Sequence, residues 1–342
     1  MARSPSDKFR ATRLWKLIVR AGISALIVTL LMYKISWARL TLVFADMHLG
    51  LALAAFTLLH VGQSFSSWRW MILARPLGFT EPYGRYRSLF YIGTFFNLFL
   101  PTSIGGDAVR AWMLAQGKSK TAAFSSVIAD RVAGVTAMLL LACLATLAPL
   151  GQMAAWVSLL PWGVLGGLFL TMALLPRLAG YSTKLQTLLL GLGWEQGRRS
   201  IWWKAVGISF MVQSLATLQV VLLGYALTLP VPWYAYVVVV PLVSLLMMLP
   251  MSVNGIGVRE GGLAILLAPY GVSTEQAVAL GLGWFALSVG VGLIGGVVYL
   301  FSKRPAAAVQ TKLEISVEGK DSHESVNRRS NDERTGQRQA AA

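Results

Sequence analysis

Charge is scarce in this sequence: 13% of its 342 residues are Asp, Glu, Lys or Arg, against 56% hydrophobic. Soluble domains carry roughly 25% charged residues. That shortage, with a mean hydropathy of +0.62, excludes an ordinary water-soluble domain and points to a chain built for a bilayer. Cysteine is nearly absent. The lone Cys143 lies in an apolar run, so an intramolecular disulfide is excluded and a packing role is expected. Acidic residues are the rarer sign, 14 against 30 basic, for a formal charge of +16. Such an excess also suits nucleic-acid binding. In so apolar a chain it is read instead as basic loops that set membrane orientation, and no nucleic-acid partner is expected. Of three histidines, one falls near the end of the chain. There is no His-Glu-x-x-His, no Cys/His cluster and no Gly-rich loop ending in Gly-Lys-Ser/Thr. Neither a metal, another cofactor nor an ATP motor is therefore expected on this chain.

What is present is a series of long Leu/Ala/Val/Gly-rich runs. A β-barrel shows alternating segments of about ten residues instead. About 20 apolar residues cross a bilayer as a helix. By that measure six full spans lie near 15–33, 49–72, 122–149, 155–176, 203–229 and 275–301. Six basic residues surround the start of the first run, as in a signal peptide, but no small-x-small cleavage site follows it. It is read as an uncleaved membrane helix. Residues 1–14 then form a basic cytosolic N-terminus, and 15–301 a transmembrane domain with halves of about 15–149 and 155–301. The polar stretch 302–342 reads as a disordered cytosolic tail.

Two further apolar pieces, near 87–100 and 234–249, each run into a break. The first break is Leu-Pro-Thr-Ser-Ile-Gly-Gly-Asp-Ala-Val-Arg, Leu100 to Arg110. The second is Leu-Pro-Met-Ser-Val-Asn-Gly-Ile-Gly-Val-Arg-Glu, Leu249 to Glu260. They align without gaps, and 149 residues separate Pro101 from Pro250, close to half of the apolar part of the chain. Matching breaks in two halves point to a transport site between internal repeats. Each piece with its motif is read as a re-entrant hairpin of two half-helices. Charges support that topology. With the N-terminus inside, every basic cluster falls on one face, while the loops Pro149–Ala154 and Pro230–Trp233 carry none. The expected fold is an all-α polytopic membrane protein, with six spanning helices and two re-entrant hairpins in an inverted repeat. Both termini are cytosolic in this reading.

Backbone may break at membrane depth only where it is buried in protein or lines a cavity. Pro101 and Pro250 end the incoming half-helices. Ser103, Ser252 and Asn254 are candidate caps for the outgoing ones. Gly105, Gly106, Gly255 and Gly257 let the chain turn and a ligand approach. The outgoing helix N-termini, with Arg110 and Arg259 in their first turns, make a site for an anion such as phosphate. The alternative is that each arginine only snorkels to the interface. Asp107 and Arg110 share a helix face; Arg259 and Glu260, being adjacent, are expected to face different partners. Asp130 and Arg131 lie about two turns inside a span, where charges face a cavity or a partner; an ion pair with the first hairpin and a direct substrate role are both open. His60 and Gln63 are expected to bond between helices. Trp68, Trp70, Trp202, Trp203 and Trp233 read as interface anchors.

The run Asn97 to Arg110, the pair Asp130-Arg131 and the run Pro250 to Glu260 resemble the flippase-like membrane family, that of the transmembrane region of lysylphosphatidylglycerol synthase. The resemblance covers roughly residues 15–301. It implies a bacterial or archaeal plasma-membrane protein that moves a phosphate-bearing lipid between leaflets. Synthases of that family add a large soluble aminoacyl-transferase domain. This chain ends about 40 residues after its last span, so it is not expected to make the lysyl-lipid itself. Taken together, a non-enzymatic lipid flippase or lipid-intermediate transporter is expected. Arg110, Arg259 and the two helix N-termini would hold the headgroup. Asp107, Asp130 and Glu260 would balance the arginines or carry coupling protons. The alternatives are an intramembrane enzyme and an accessory subunit beside an enzyme partner in a glycolipid or phospholipid pathway.

Overall fold

In lipid no water can satisfy a peptide N–H, so apolar runs of this length fold as helices. The computed structural model describes residues 37–99, 105–116, 118–147, 155–179, 199–248 and 255–302, and every regular element among them is helical. In chain order these are α1 (Trp37–Ala45), α2 (Leu49–Ala74), α3 (Tyr83–Phe99), α4 (Gly105–Leu114), α5 (Lys120–Ala145), α6 (Ala155–Ala179), α7 (Arg199–Ala226), α8 (Trp233–Met248), α9 (Val258–Leu267) and α10 (Thr274–Phe301). The chain divides into two units, Met1–Gly296 and Val297–Ala342. Of the second, only the end of α10 and Ser302 are described.

Among the described residues, five helices are long and apolar enough to cross a membrane: α2 with the 3-10 turn that follows it, α5, the middle of α6, α7 and α10. They coincide with five of the six spans expected from sequence. The expected span 15–33, the motif residues Ser103, Ser252 and Asn254, and the tail beyond Ser302 lie outside the described residues. Helix α1 was not anticipated. It fills what reads as a loop, because Leu40 is buried while Val43 and Phe44 pack on the main core.

The two broken pieces fold as helix pairs. Helix α3 has 17 residues and α4 has 10. At 1.5 Å per residue, α4 is about 15 Å long, half of a bilayer core of about 30 Å. Helix α9 also has 10 residues. Within each pair the limbs run antiparallel. A Cβ placed on Gly106 would meet Asn97 and Gly93, whereas Arg110, one turn on, packs over Phe90. In the second pair Gly255 faces Met247 and Gly262 faces Val243.

Both glycine motifs serve these turns and contacts. Gly255 (φ +74) and Gly257 (φ +83) adopt left-handed backbone that side chains disfavour. A Cβ on Gly106 would overlap the Gly93 carbonyl oxygen. The close approach expected for a ligand at Gly106 and Gly255 is instead one of helix against helix.

The main apolar core gathers α7, α8, α9 and α10, with Val239, Val243, Leu263, Leu267 and Leu280 buried. Tyr236 packs its hydroxyl against Gly224, where any Cβ would collide with it. Two of the five tryptophans read as anchors are core residues: Trp70 is 0% exposed and Trp202 8%. Trp70 donates its ring N–H to Ser126 at 3.0 Å, and that internal acceptor allows its burial. Trp68, Trp203 and Trp233 are exposed, at 41%, 59% and 62%.

Candidate functional site

A cavity of about 430 Å³ opens among helices from both halves. Its wall takes Arg69 from α2, Asn97 from α3, Asp107 and Arg110 from α4, and Asp130 and Arg131 from α5. Gln213 and Gln219 from α7, Ser244 from α8 and Trp284 from α10 close the other side.

Five charges in this wall form one chain of ion pairs. Arg69 Nε donates to Asp130 Oδ1 at 2.7 Å, and Arg110 Nη2 donates to Asp130 Oδ2 at 2.9 Å. Arg110 Nε donates to Asp107 Oδ1 at 2.9 Å, and Arg131 Nε donates to Asp107 Oδ2. Every oxygen of the two carboxylates thus receives a guanidinium N–H. Four of the five are nearly sealed from solvent: Asp130 is 1% exposed, Arg110 2%, Arg69 6% and Asp107 6%. The Arg131 side chain is 42% exposed and borders the cavity. Arg69 Nη1 also donates to Ser209 at 2.9 Å, which ties α2 to α7. Gly134 leaves the space for it; a Cβ there would sit 3.4 Å from the Arg69 guanidinium.

Arg110 is held on its faces as well as its edges. Its guanidinium carbon lies 4.6 Å from the ring centres of both Trp70 and Phe90. Such cation–π contacts are worth up to about 2 kcal/mol when desolvated. One edge is left over. Nη1 of Arg110 is buried and has no hydrogen-bond partner among the described residues. An unmade buried hydrogen bond costs about 1–3 kcal/mol. Snorkelling, which needs the guanidinium at an interface, is excluded for a residue this buried.

The second motif is arranged differently. Arg259 donates to Glu260 Oε1 through Nε at 3.0 Å and Nη2 at 2.6 Å. Glu260 Oε2 accepts the Gly257 N–H at 2.7 Å. The expectation that Arg259 and Glu260 face different partners is therefore corrected. Glu260 folds back to cap its own helix, and that turn brings the carboxylate beneath Arg259. Gly281 makes room, since a Cβ there would lie 2.9 Å from Glu260 Cγ. Arg259 also stacks over Phe285 at 5.2 Å. Neither Arg259 nor Glu260 borders the cavity.

The helix starts are also met by protein groups. Asn97 Oδ1 accepts the Gly106 N–H at 2.8 Å across the first hairpin, and Glu260 does the same for Gly257. Gly105 is half-buried at the start of α4. Of the residues expected in the site, Asn97, Asp107, Arg110, Asp130 and Arg131 share one wall. Gly105, Gly106, Gly255 and Gly257 shape the hairpins. Sequence reasoning missed Arg69, Gln213 and Gln219. Arg69 falls inside the expected span 49–72 with no site role assigned to it, and it sits inside α2. His60 forms the expected interhelical bond, 2.8 Å from Nδ1 to the Tyr91 hydroxyl, while Gln63 borders the cavity.

Helices of membrane-spanning length around a charged internal cavity define a multi-pass membrane protein of the polar-cavity type. The chain belongs to the family described as lysylphosphatidylglycerol synthase TM region, whose model matches residues 17–296. No curated protein matches it.

Proposed function

We propose that this protein moves a phosphate-bearing lipid between the leaflets of a bacterial or archaeal plasma membrane without converting it. One observation carries the reading: Arg110, buried on the wall of a cavity, keeps an N–H with no acceptor among the described residues. Ionisable groups inside a membrane domain are expensive and mark substrate pathways. A phosphate oxygen is the acceptor that a planar guanidinium fits best. Family membership supports a role in lipid handling. In this reading the seat of the phosphate is the Arg110–Arg131 wall, and Asp107 and Asp130 balance its charge.

Antiparallel half-helix pairs in matching places favour re-entrant hairpins and an inverted repeat. Both termini then face the cytosol. Single cysteines test this, in a background carrying Cys143→Ala. Cysteines replacing Ser88 and Ser119 should label from the cytosol, and one replacing Ser273 from outside. Labelling of Ser119 and Ser273 positions from one side would rule out the inverted arrangement.

Function is tested by reconstitution in liposomes with labelled phospholipids, scoring transfer between leaflets against chemical conversion. Transfer with the lipid intact is expected. Conversion without transfer would make the protein an intramembrane enzyme.

A further inference from the structure

The two matching helix pairs are held to the rest of the protein by different kinds of contact. The first is tied by directional bonds. Tyr83 donates its hydroxyl to the Ser64 carbonyl at 2.9 Å, and the Tyr91 hydroxyl lies 2.8 Å from His60 Nδ1, so α3 is bonded twice to α2. Arg110 and Asp107 on α4 pair with Asp130 and Arg131 on α5. Lys118, just past α4, bridges at 2.9 Å to Glu81, just before α3. The second pair has nothing comparable. The side chains of Arg259 and Glu260 make their hydrogen bonds within the pair, and no hydrogen bond or ion pair among the described residues joins α8 or α9 to another helix. Even Tyr236, fully buried on α8, keeps a hydroxyl without a partner among the described residues.

What holds the second pair is apolar. Leu245 lies against Leu139, Cys143 and Leu165, while Val239, Val243 and Leu263 sit in the main core. Arg259 over Phe285 adds one cation–π contact. Lipid tails are as apolar as these side chains, so such faces exchange protein contact for lipid contact at little cost. Helix α8 also contains Pro241. Proline has no N–H for the Val237 carbonyl, and its ring crowds that carbonyl, so a helix bends there. Beyond Pro241, the side chains of Ser244, Met247 and Met248 border the cavity. Methionine, unbranched and flexible, keeps contact with a changing surface. Helix α3, the counterpart in the first pair, has no proline.

We propose that residues 242–248 of α8 are the moving wall of the cavity, hinged at Pro241, while α3 and α4 stay docked on α2 and α5. The proposal rests on the cavity being the path of the transported lipid. Swinging the inner part of α8 parts apolar faces. Swinging α4 instead breaks the ion pairs that Asp107 and Arg110 make with α5, in nearly sealed positions, and leaves buried charge unpaired. Helix α9 follows α8, because Gly255 and Gly262 seat Met247 and Val243 closely. The matched halves thus divide the work: the first holds charge in place, and the second opens and closes.

Pro241→Ala tests the hinge, since alanine supplies the missing N–H and straightens the helix. The reconstituted full-length variant is expected to keep or raise its melting temperature and to transfer labelled phospholipid at least about tenfold more slowly per folded molecule, because opening then limits the rate. Hydrogen exchange on the full-length protein in nanodiscs reads the same motion without relying on transport. Amides of 242–248 are expected to exchange at least about tenfold faster than those of 105–114, and Pro241→Ala to close that gap. Full-rate transfer by folded Pro241→Ala would overturn the hinge. Wild-type exchange at 105–114 as fast as at 242–248, or faster, would overturn the choice of moving wall, whether or not the variant folds. If the wild-type protein transfers no lipid, the lipid path falls, and the exchange pattern still decides which pair moves.

Discussion

Arg110→Ala is expected to abolish lipid transfer and to destabilise the fold by about 3–5 kcal/mol, the cost of breaking a buried ion pair from one side. The cost arises because Asp107 and Asp130 each lose a guanidinium N–H in a nearly sealed position. Trp70 and Phe90 lose the cation packed between them. Because loss of transfer alone would not separate binding from folding, Arg110→Lys is the sharper variant. Lysine keeps the charge and part of the pairing but has no planar fork to offer an oxygen while holding two carboxylates. It is expected to fold with a modest loss of melting temperature and to transfer lipid at least tenfold more slowly per folded molecule. Full transfer by folded Arg110→Lys would remove the guanidinium from the phosphate seat. Arg259→Ala is the control: its side chain serves Glu260 and Phe285 away from the cavity, so stability should fall while transfer per folded molecule persists.

Asp130→Asn should have the next largest effect. Asp130 is the single bridge between Arg69 and Arg110, with one oxygen for each. The amide removes one negative charge, leaving three guanidinium groups facing one carboxylate. It also turns one of the two acceptor positions into an N–H that points at an arginine. A loss on the order of 3 kcal/mol is expected, read as a lower melting temperature. Transfer per folded molecule should drop as well, because Arg110 is no longer held in place. A variant that melts early but transfers at the full rate would make Asp130 a structural brace only.

How far the sequence reaches can be judged residue by residue. The antiparallel helix pairs were legible because Pro, Gly and charge interrupt apolar runs at matching places, and the short lengths of α4 and α9 follow from those breaks. Asp130 and Arg131 were legible because charge inside a span is costly. Arg69 was not. It lies near the C-terminal end of its run, where a basic residue and a loop residue look alike, and only the fold brings Asp130 to it. Trp70 misled for the same reason, since position along a span does not say which side faces lipid. Gln213 and Gln219 carried a faint signal, two amides six apart in an apolar helix, but isolated amides there more often bridge helices. The roles of the paired arginines were also beyond sequence. Their motifs match, yet Glu260 captures Arg259 locally while Asp107 and Asp130 hold Arg110 on the cavity.

The contact of Gly106 with the Gly93 carbonyl has a mechanical side. Two backbones that touch without side chains between them leave no slack, and the Asn97 amide straps the same point. The limbs of the first hairpin cannot slide past each other without breaking that strap. Any excursion of Arg110 is therefore carried by α3 and α4 together, as a stiff lever. The lever joins α2 through a turn in which Gly78 takes φ +90, Phe79 is buried and the Tyr86 hydroxyl donates to the Phe79 carbonyl.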